Sequence, residues 1–447
     1  MEQNILQTEK ISTLALKYCV PAIIGMAITG TQTMIDGLFV GNFIGSDAMA
    51  AVNIANPFVQ IIIGISMVIS IGCLSHLGIT LGIGDIKKSK SIYKTSFQSL
   101  VVLGSLVTLI GLFFSQNLAL VLGANEVLLH DVATYIQTIA CFTLPMVLMF
   151  FFGFMNRLLE RPELYVKGMI LSVIFNILLN TLLIAVFELG VLGAAIATGM
   201  SYVVALLIVI RPGLDKKSLV NVHEGTFELS ELKPVIYNGS SEGINSISVA
   251  ISAFVFNMAF MSIAGEDGVA AFTTINYIAG FGIMVMFGVS DGIGPIASYN
   301  FGSRDFSRVK SILKLSYAVI SIISLLVFVT LLAFSEQLVQ LFISDDDSLV
   351  SFATQGGQIY ALSFLCCGFN ILYSGFFTSI GNARASIIVA LSRGLIFVLL
   401  GIAVLPAFFG VNGVWFVVPF AEIITFGISL LLLRSVNKQM NEKECLS

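Results

Sequence analysis

The chain has 447 residues, of which 57% are hydrophobic and only 11% charged, and its formal net charge is −4. Ordinary soluble chains contain roughly 25% charged residues. This composition excludes a soluble enzyme, a disordered chain and a nucleic-acid-binding protein with a basic face. We therefore expect a polytopic membrane protein that binds no nucleic acid.

Twelve apolar runs are long enough to cross a bilayer, which requires about 20 mostly apolar residues per helix. Barrel strands are near ten residues long and alternate in polarity, so the run lengths predict an all-α fold. In chain order the predicted spans are 12–38, 48–80, 92–115, 130–156, 165–187, 191–210, 234–263, 268–299, 311–335, 350–378, 385–407 and 412–433.

The basic residues lie in every second loop. All 22 Lys and Arg residues fall in alternate loops or at the adjoining span ends, as Lys88, Lys216 and Arg304 do, whereas the loops between them contain acids such as Asp47 and Asp345 to Asp347. Basic loops remain on the cytoplasmic side. The alternation therefore supports twelve spans with both termini in the cytoplasm.

The two halves of the sequence repeat each other. A shift of 220 residues aligns GSDAMAAVNIAN at 45–56 with GEDGVAAFTTIN at 265–276, and it also pairs Gly72 with Gly292. We call two residues paired by this shift repeat mates. Each repeat contains six predicted helices, an even number, so both should have the same orientation and be related by a pseudo-twofold axis along the membrane normal. Parallel repeats of this kind are typical of secondary transporters.

The repeat sets the predicted domain organisation. We expect an N-terminal six-helix lobe at 1–211, a polar cytoplasmic loop at 212–231 and a C-terminal six-helix lobe at 232–447.

One polar face stands out within the first span. Gly25, Thr29, Gln32 and Asp36 are spaced by four, three and four residues, which places them on one side of a helix. A charge at mid-bilayer costs about 2.5–3.5 kcal/mol on insertion scales. The face predicts a water-filled cavity with an ion or proton site. The alternative is hydrogen bonding between helices, which suits Asn and Ser better than Asp36.

Polar residues on other spans extend this prediction. Asn176 and Asn180 lie one turn apart on the fifth span, Asp291 and Glu422 are further acids within spans, Arg393 is expected to snorkel to the interface, and Trp415 is expected to anchor at the interface. The candidate substrate-cavity residues are Gln32, Asn53, Asn56, Gln60, Glu242, Asn245, Ser252 and Asn276.

Several stretches together resemble the multidrug and toxic compound extrusion (MATE) family of bacterial cation-coupled transporters, over essentially the whole chain. Their order and spacing carry the resemblance. They are Pro21 to Asp36, LGIGDIKKSK (81–90), RPEL (161–164), GVLGAAIAT (190–198), GSSEGIN (239–245), GVSDGIGPIASYNFG (288–302), SIGNARAS (379–386) and FGVNGVW (409–415).

The resemblance implies two six-helix lobes in a V shape in the bacterial cytoplasmic membrane. It further implies an antiporter that exports lipophilic compounds, mainly cations, in exchange for H⁺ or Na⁺. We expect small amphipathic substrates and membrane lipids as partners, no cofactor, no enzymatic activity and a monomer.

The family's cation site in the N-terminal lobe is matched by Asp36, Asn176 and Thr198, and its helix 1 bend by Pro21. Asn180 stands where many members have a second acid, so one titratable group replaces two and both H⁺ and Na⁺ remain open. Sodium would take oxygen ligands from Asp36, the two Asn side chains and Thr198.

Two alternatives to a drug antiporter remain, one a transporter with a different cargo and the other an enzyme. A flippase for lipid-linked precursors or polysaccharides would need basic residues in the cavity for phosphates, and none lies near mid-span. A polytopic membrane enzyme would need catalytic motifs or a large loop, and the outer loops are short.

Overall fold

The computed structural model describes residues 5–342 and 347–444. Within these ranges every regular element is a helix. Helices suit apolar runs of this length because each backbone N–H and C=O is satisfied inside its own segment, away from water. The predicted all-α fold is therefore confirmed, whereas Asp345 and Asp346 of the predicted acidic outer loop lie outside the described residues.

The first half of the chain contains six spans. The fourth consists of Leu129–Cys141 and Thr143–Leu158, which are bent by 51°. Short helices lie at Ile5–Thr8, Ser115–Val121 and Arg211–Leu214. We number the spans α1 (Ile11–Phe43), α2 (Ser46–Ile83), α3 (Ile86–Phe113), α4 (129–158), α5 (Glu163–Val186) and α6 (Gly190–Val209).

The second half begins with a continuous helical stretch, Leu229–Gly302, of 74 residues. At 1.5 Å per residue it would be about 110 Å long, far more than the hydrocarbon core of about 30 Å. Gly265, with φ 67° and ψ −153°, breaks the helical geometry. The stretch is therefore two spans, α7 (229–264) and α8 (266–302).

Four more spans complete this half, with a short helix at Ser335–Gln340 between the first two. They are α9 (Phe306–Ala333), α10 (347–379, bent by 50° between Asp347–Ala361 and Phe364–Ser379), α11 (Ala383–Phe409) and α12 (Val411–Glu444). The part of the chain that the structure describes thus contains the twelve predicted spans.

Local geometry repeats along with the sequence. The Asp85 carboxylate accepts a hydrogen bond from the N–H of Lys88 at 3.0 Å where α3 begins. Asp305 accepts one from Arg308 at 3.1 Å where α9 begins. Such caps satisfy N–H groups that the first helical turn leaves free. The repeat is therefore carried by capping geometry as well as by hydropathy.

The chain forms two compact units. Unit 1 contains Ile24–Gly239 with Ile5 and Leu6, and unit 2 contains Gln7–Ile23 and the described residues from Ser240 onward. The first part of α1 thus belongs to unit 2, and the first part of α7 belongs to unit 1. The lobe limits at 211 and 232 stay predictions.

Glycines permit the close packing of these exchanged segments. In unit 1, the Gly72 backbone of α2 lies against Val235 and Gly239 of α7. In unit 2, a Cβ atom at Gly292 of α8 would lie 2.5 Å from the Cα atom of Cys19 in α1. Cys19 and Gly239 are repeat mates, as Gly72 and Gly292 are, so the two units use one packing motif.

An aromatic cluster forms part of the core of unit 2. Trp415 is only 1% exposed, and its ring centroid lies 4.6 Å from that of Phe260. Gly356 leaves room for the indole, since a side chain there would collide with it. The expected role of Trp415 as an interface anchor is therefore wrong: the ring is a core residue.

The connection between α6 and α7 is attached to the start of α3 within unit 1. Lys90 forms an ion pair with Glu224, and the Glu228 N–H donates to Thr95 Oγ1 at 3.0 Å. Gly225, at φ 88°, lies against the Lys90 backbone. The hydrogen bond and charge of Lys90 hold the pKa of Glu224 below its usual value.

Candidate functional site

Asp36 of α1 lies at the centre of a polar cluster in unit 1. Its Oδ1 atom accepts hydrogen bonds from Asn176 Nδ2 at 2.9 Å and from Asn180 Nδ2 at 2.7 Å, both on α5. Thr198 Oγ1 of α6 donates to Oδ2 at 3.3 Å. The structure thus brings together the three residues that match the family's cation site and Asn180, which stands in place of its second acid.

The two asparagines differ in what their oxygens contact. Both side chains are buried, at 0% and 1% exposure. Asn176 Oδ1 accepts from Asn180 Nδ2 at 3.2 Å. Asn180 Oδ1 is buried and has no hydrogen-bond partner among the described residues. A buried acceptor without a donor costs free energy, so a proton or cation beside it would be stabilised.

The cluster contains one acidic group, the carboxyl group of Asp36. Within the described ranges, no Lys or Arg forms an ion pair with Asp36. A half-buried carboxylate that has neutral hydrogen-bond donors but no counter-charge favours uptake of a cation. The amides currently direct N–H groups at Asp36, so coordinating a cation requires them to rotate and present oxygen. Charge neutralisation and side-chain reorientation are therefore linked here.

A second layer of hydrogen bonds supports this cluster. Gln32 Nε2, one turn before Asp36, donates to Ser201 Oγ at 3.1 Å, and Ser201 Oγ donates to the Thr198 carbonyl oxygen at 2.7 Å. The buried side chain of Tyr135 in α4 lies near Thr198 and Asp36. Sequence reasoning missed Ser201 and Tyr135. Only the position of Ser201, one turn beyond Thr198, could have signalled its role.

The predicted cavity residues fall into different environments. Gln32 is only 5% exposed and therefore belongs to the Asp36 surroundings. In unit 1, α2 presents an exposed polar face whose residues share a spacing of three or four, and a polar face at bilayer depth favours contact with water over lipid. This face, the α2 polar face, consists of Asn53, Asn56 and Gln60.

In unit 2, Asn276 of α8 is exposed, while Ser252 Oγ of α7 donates to the Gly394 carbonyl oxygen at 2.9 Å. Glu242 and Asn245 of α7 are half-buried and 3.5 Å apart at their polar atoms. Asp291 of α8 is half-buried. The predicted residues of unit 2 do not converge on one carboxylate as those of unit 1 do.

Two further predicted residues form a buried pair. Glu422 is 4% exposed, and its Oε1 atom lies 2.9 Å from Arg393 Nη2. Arg393 was expected to snorkel to the interface, and that expectation is wrong because its guanidinium turns inward to this carboxylate. Glu422, predicted as a further candidate acid, therefore has a counter-charge that Asp36 lacks.

Pro21 lies within the uninterrupted helix α1, between Cys19 and Ile23. Both neighbours pack against glycines of α8 in unit 2, Cys19 at Gly292 and Ile23 at Gly288. The boundary between the part of α1 in unit 2 and the part in unit 1 lies after Ile23. Pro21 lies within one helical turn of this boundary.

Comparison with known proteins supports one family. A family profile described as MatE matches residues 21–182 and 243–403. The multidrug export protein MepA of Staphylococcus saprophyticus is 27% identical over 426 residues, which cover 94% of this chain and 92% of that protein. MepA of Staphylococcus aureus strain MW2 is 26% identical over 421 residues, which cover 94% and 92%.

Solved structures have the same fold. A crystal structure of MATE in complex with MaL6 has a TM-score of 0.92 at 20% identity and covers 99% of this chain and 100% of that one. An outward-facing multidrug resistance MATE family transporter of the MOP superfamily has a TM-score of 0.91 at 21% identity, with 99% of both chains covered.

Proposed function

Because this chain belongs to the MatE family of transporters, we propose that it is a secondary antiporter that exports lipophilic compounds, mainly cations, in exchange for H⁺ or Na⁺. The observation that carries the proposal is the Asp36 cluster. A single carboxylate without an ionic partner is held there by Asn176, Asn180 and Thr198. The relatives named multidrug export proteins support the choice of cargo class.

In this mechanism Asp36 alternates between two hydrogen-bonded states. When it is charged, the amide N–H groups and the Thr198 hydroxyl stabilise the carboxylate. When a proton or Na⁺ neutralises it, the amides rotate and their oxygens, including Asn180 Oδ1, face the bound cation. The change in charge alters the packing of α1 against α5 and α6.

Helix α1 carries that change beyond the site, because its first part belongs to unit 2 and the rest to unit 1. Pro21, whose ring removes a backbone hydrogen bond, gives α1 a point at which it bends easily. We propose that neutralising Asp36 bends α1 there and releases the cargo. An entering cation gains roughly 2.3 kcal/mol across 100 mV, which would support a gradient of about 40-fold for an uncharged cargo. One-for-one exchange with a monovalent cationic cargo moves no net charge, so the concentration gradient of H⁺ or Na⁺ drives it.

The charge pattern supports cationic cargo. The α2 polar face contains amide side chains and no basic residue, and the Asp36 site is anionic. Anionic cargo would meet uncompensated negative charge with no counter-ion. A lipid-linked precursor flippase is less well supported, because it would need free basic side chains, and Arg393 is already paired with Glu422.

We further propose that the protein works as a monomer in the bacterial cytoplasmic membrane, with both termini in the cytoplasm and without a cofactor. Its positively charged loops support that orientation. Its partners are then only lipids and small amphipathic substrates.

Proteoliposomes loaded with a fluorescent lipophilic cation test the proposal. A pH gradient alone and a Na⁺ gradient alone are applied to matched vesicles, with an ionophore that collapses each gradient as the control. We expect one of the two gradients to drive transport and the ionophore to abolish it. Transport that is unaffected by both gradients would contradict the proposal.

A further inference from the structure

A buried ionic cluster lies within unit 2, formed by three neighbouring spans. Arg393 of α11 donates from Nε at 3.2 Å and from Nη2 at 2.9 Å to Glu422 Oε1 of α12. The two side chains are only 12% and 5% exposed. Asn370 of α10 donates to Glu422 Oε2 at 2.7 Å and to its carbonyl oxygen at 2.8 Å.

Every oxygen of this carboxylate is occupied. Oε1 receives two guanidinium N–H groups and Oε2 receives the Asn370 amide. The amide oxygen of Asn370 accepts in turn from Ser429 Oγ at 3.2 Å. Arg393 also reaches Cys367 Sγ at 3.3 Å. The cluster is electrically neutral and needs no further cation to satisfy its carboxylate.

This cluster parallels the Asp36 cluster in its parts. Each contains one carboxylate in a span, bound by an asparagine amide from another span. Each also adjoins a π-helical turn in the fifth helix of its half, Thr181–Val186 directly after Asn180 and Ser392–Ile396 around Arg393. Such turns are rare and frequently lie at functional sites.

The two clusters differ in charge. In unit 1, Asp36 has no ionic partner within the described chain and Asn180 Oδ1 is unsatisfied. In unit 2, Glu422 faces a guanidinium that is covalently attached to α11 and cannot leave. The position that an exchangeable cation would take beside Asp36 is thus filled, beside Glu422, by a side chain.

We propose that Arg393 is a tethered cation that permanently fills a second carboxylate site in unit 2, so that cations exchange at Asp36 alone. This inference rests on the proposed function, because it fixes the number of exchangeable cation sites at one. It also assigns Arg393 a role that a packing residue would not have: removing its charge should open a new cation site at Glu422.

Other titratable groups among the described residues interact with the pair. Tyr360, Cys366 and Cys367 of α10 interact electrostatically with Glu422. Glu242 of α7 interacts with Arg393. Because these thiol and phenol groups ordinarily ionise above neutral pH, a proton that appears near neutrality when Arg393 is replaced is assigned to Glu422 or to Glu242.

The first experiment replaces the tethered cation by a free one. Arg393→Ala removes the guanidinium and leaves space for guanidinium ion added at low concentration. Trp415, the only Trp and a buried residue of α12, reports thermal unfolding of unit 2 by its fluorescence. We expect guanidinium to raise the unfolding temperature of Arg393→Ala, but not that of the wild type or of Arg393→Ala/Glu422→Gln.

Equal stabilisation of the single and double variants by guanidinium would overturn the proposal, because the effect would then not involve Glu422. Arg393→Lys is a second variant that retains a tethered charge and should fold where Arg393→Ala does not. It should gain no response to guanidinium, and a gain there would also count against the proposal.

The second experiment counts cations. Proton binding by the purified protein is measured by potentiometric titration, and Na⁺ binding by equilibrium with radioactive sodium. We expect Arg393→Ala to bind about one proton or Na⁺ more than the wild type, and Arg393→Ala/Glu422→Gln to lose that gain. No gain in a folded Arg393→Ala protein would refute the tethered-cation role.

The same titration separates this inference from the proposed function. Asp36→Asn should bind about one cation fewer than the wild type. If Asp36→Asn binds as many as the wild type, the proposed coupling site fails, whatever Arg393 does. If the loss occurs and the binding that remains in Asp36→Asn disappears in Asp36→Asn/Glu422→Gln, then Glu422 exchanges cations and the tethered-cation inference fails alone.

Discussion

At the scale of single residues, two carboxylates within spans differ in whether a neighbouring side chain compensates their charge. Asp36 receives three neutral donors, from Asn176, Asn180 and Thr198, whereas Glu422 receives a guanidinium. A buried charge without an opposite charge is costly. The first acid is therefore poised to take up a cation, and the second is compensated permanently.

Asn180→Asp tests how the amide sets cation dependence. The new carboxylate would lie where Asn180 Nδ2 now lies 2.7 Å from Asp36, and two carboxylates this close resist being charged together. We expect half-maximal efflux at about tenfold lower cation concentration, without loss of transport. The measurement is the pH and Na⁺ dependence of efflux in proteoliposomes.

Asn180→Leu is the matched control, because it removes the amide without adding charge. It should weaken transport and should not lower the cation concentration for half-maximal efflux, because it also removes Oδ1, which faces the bound cation in the proposed mechanism. An identical shift in both variants would mean that the loss of the amide, and not the added charge, changes the dependence.

Single residues also show what one sequence can predict. Asp36 was recognisable because an acid within an apolar run is costly, and Asn176 and Thr198 because they match a family pattern. Asn180 was recognisable because it stands where many members of that family have a second acid. The Arg393–Glu422 pair was not recognisable. The two residues are 29 positions apart on different helices, and helical periodicity gives no information on which face of α11 meets α12.

At the scale of elements, α1 and α7 each contribute to both units, and the connection between α6 and α7 is ordered. Hydropathy located the spans because the cost of unsatisfied backbone in lipid leaves only helices. It did not predict which unit the first part of α1 or α7 joins. That depends on glycine contacts such as Gly72 with Gly239, which involve distant parts of the chain.

Gly225→Val should detach the connection between α6 and α7 from the start of α3. Gly225 has φ 88°, which L side chains rarely adopt, and its Cβ would lie 2.5 Å from the carbonyl carbon of Lys90. We expect trypsin to cleave after the exposed Lys216 and Lys217 roughly tenfold faster, as expected for a loss of about 1.4 kcal/mol in local stability. Cleavage is followed by mass spectrometry.

Lys90→Gln is the control for the same contact. Its ion pair with Glu224 is partly exposed to solvent and should contribute little to stability. The pKa of Glu224 is lowered from 4.5, so the contribution of the pair is present above that value and is lost only as pH falls through the lower folded value. Cleavage should therefore be insensitive to pH near neutrality. A larger effect from Lys90→Gln than from Gly225→Val would contradict this account.

At the scale of the whole molecule, the count of twelve spans determines which loops share a side of the membrane. Charge alternation and the sequence repeat predicted that count. The described residues agree with it once the long helix is divided at Gly265. The division was predictable because GEDG at 265–268 repeats GSDA at 45–48, where α1 gives way to α2.

Cysteine labelling tests the predicted sidedness. In a background without native cysteines, Asp267→Cys should react with a membrane-impermeant maleimide on intact cells. Lys88→Cys and Lys216→Cys should react only after permeabilisation, because basic loops remain in the cytoplasm. Labelling of Asp267→Cys from the inside only would mean that one span before it has been miscounted.

Asp36 is the proposed coupling group, and the direction of transport depends on it more than on any other residue named above. The decisive measurement is cation-driven efflux by Asp36→Asn and by Glu242→Gln at equal membrane abundance, with Trp415 fluorescence verifying that each variant is folded. Asn cannot be protonated and binds Na⁺ poorly, and no buried charge is added, so Asp36→Asn should fold normally and lose gradient-driven efflux. Glu242→Gln should retain it. Normal pumping by Asp36→Asn together with loss in Glu242→Gln would place coupling in unit 2 and contradict the assignment.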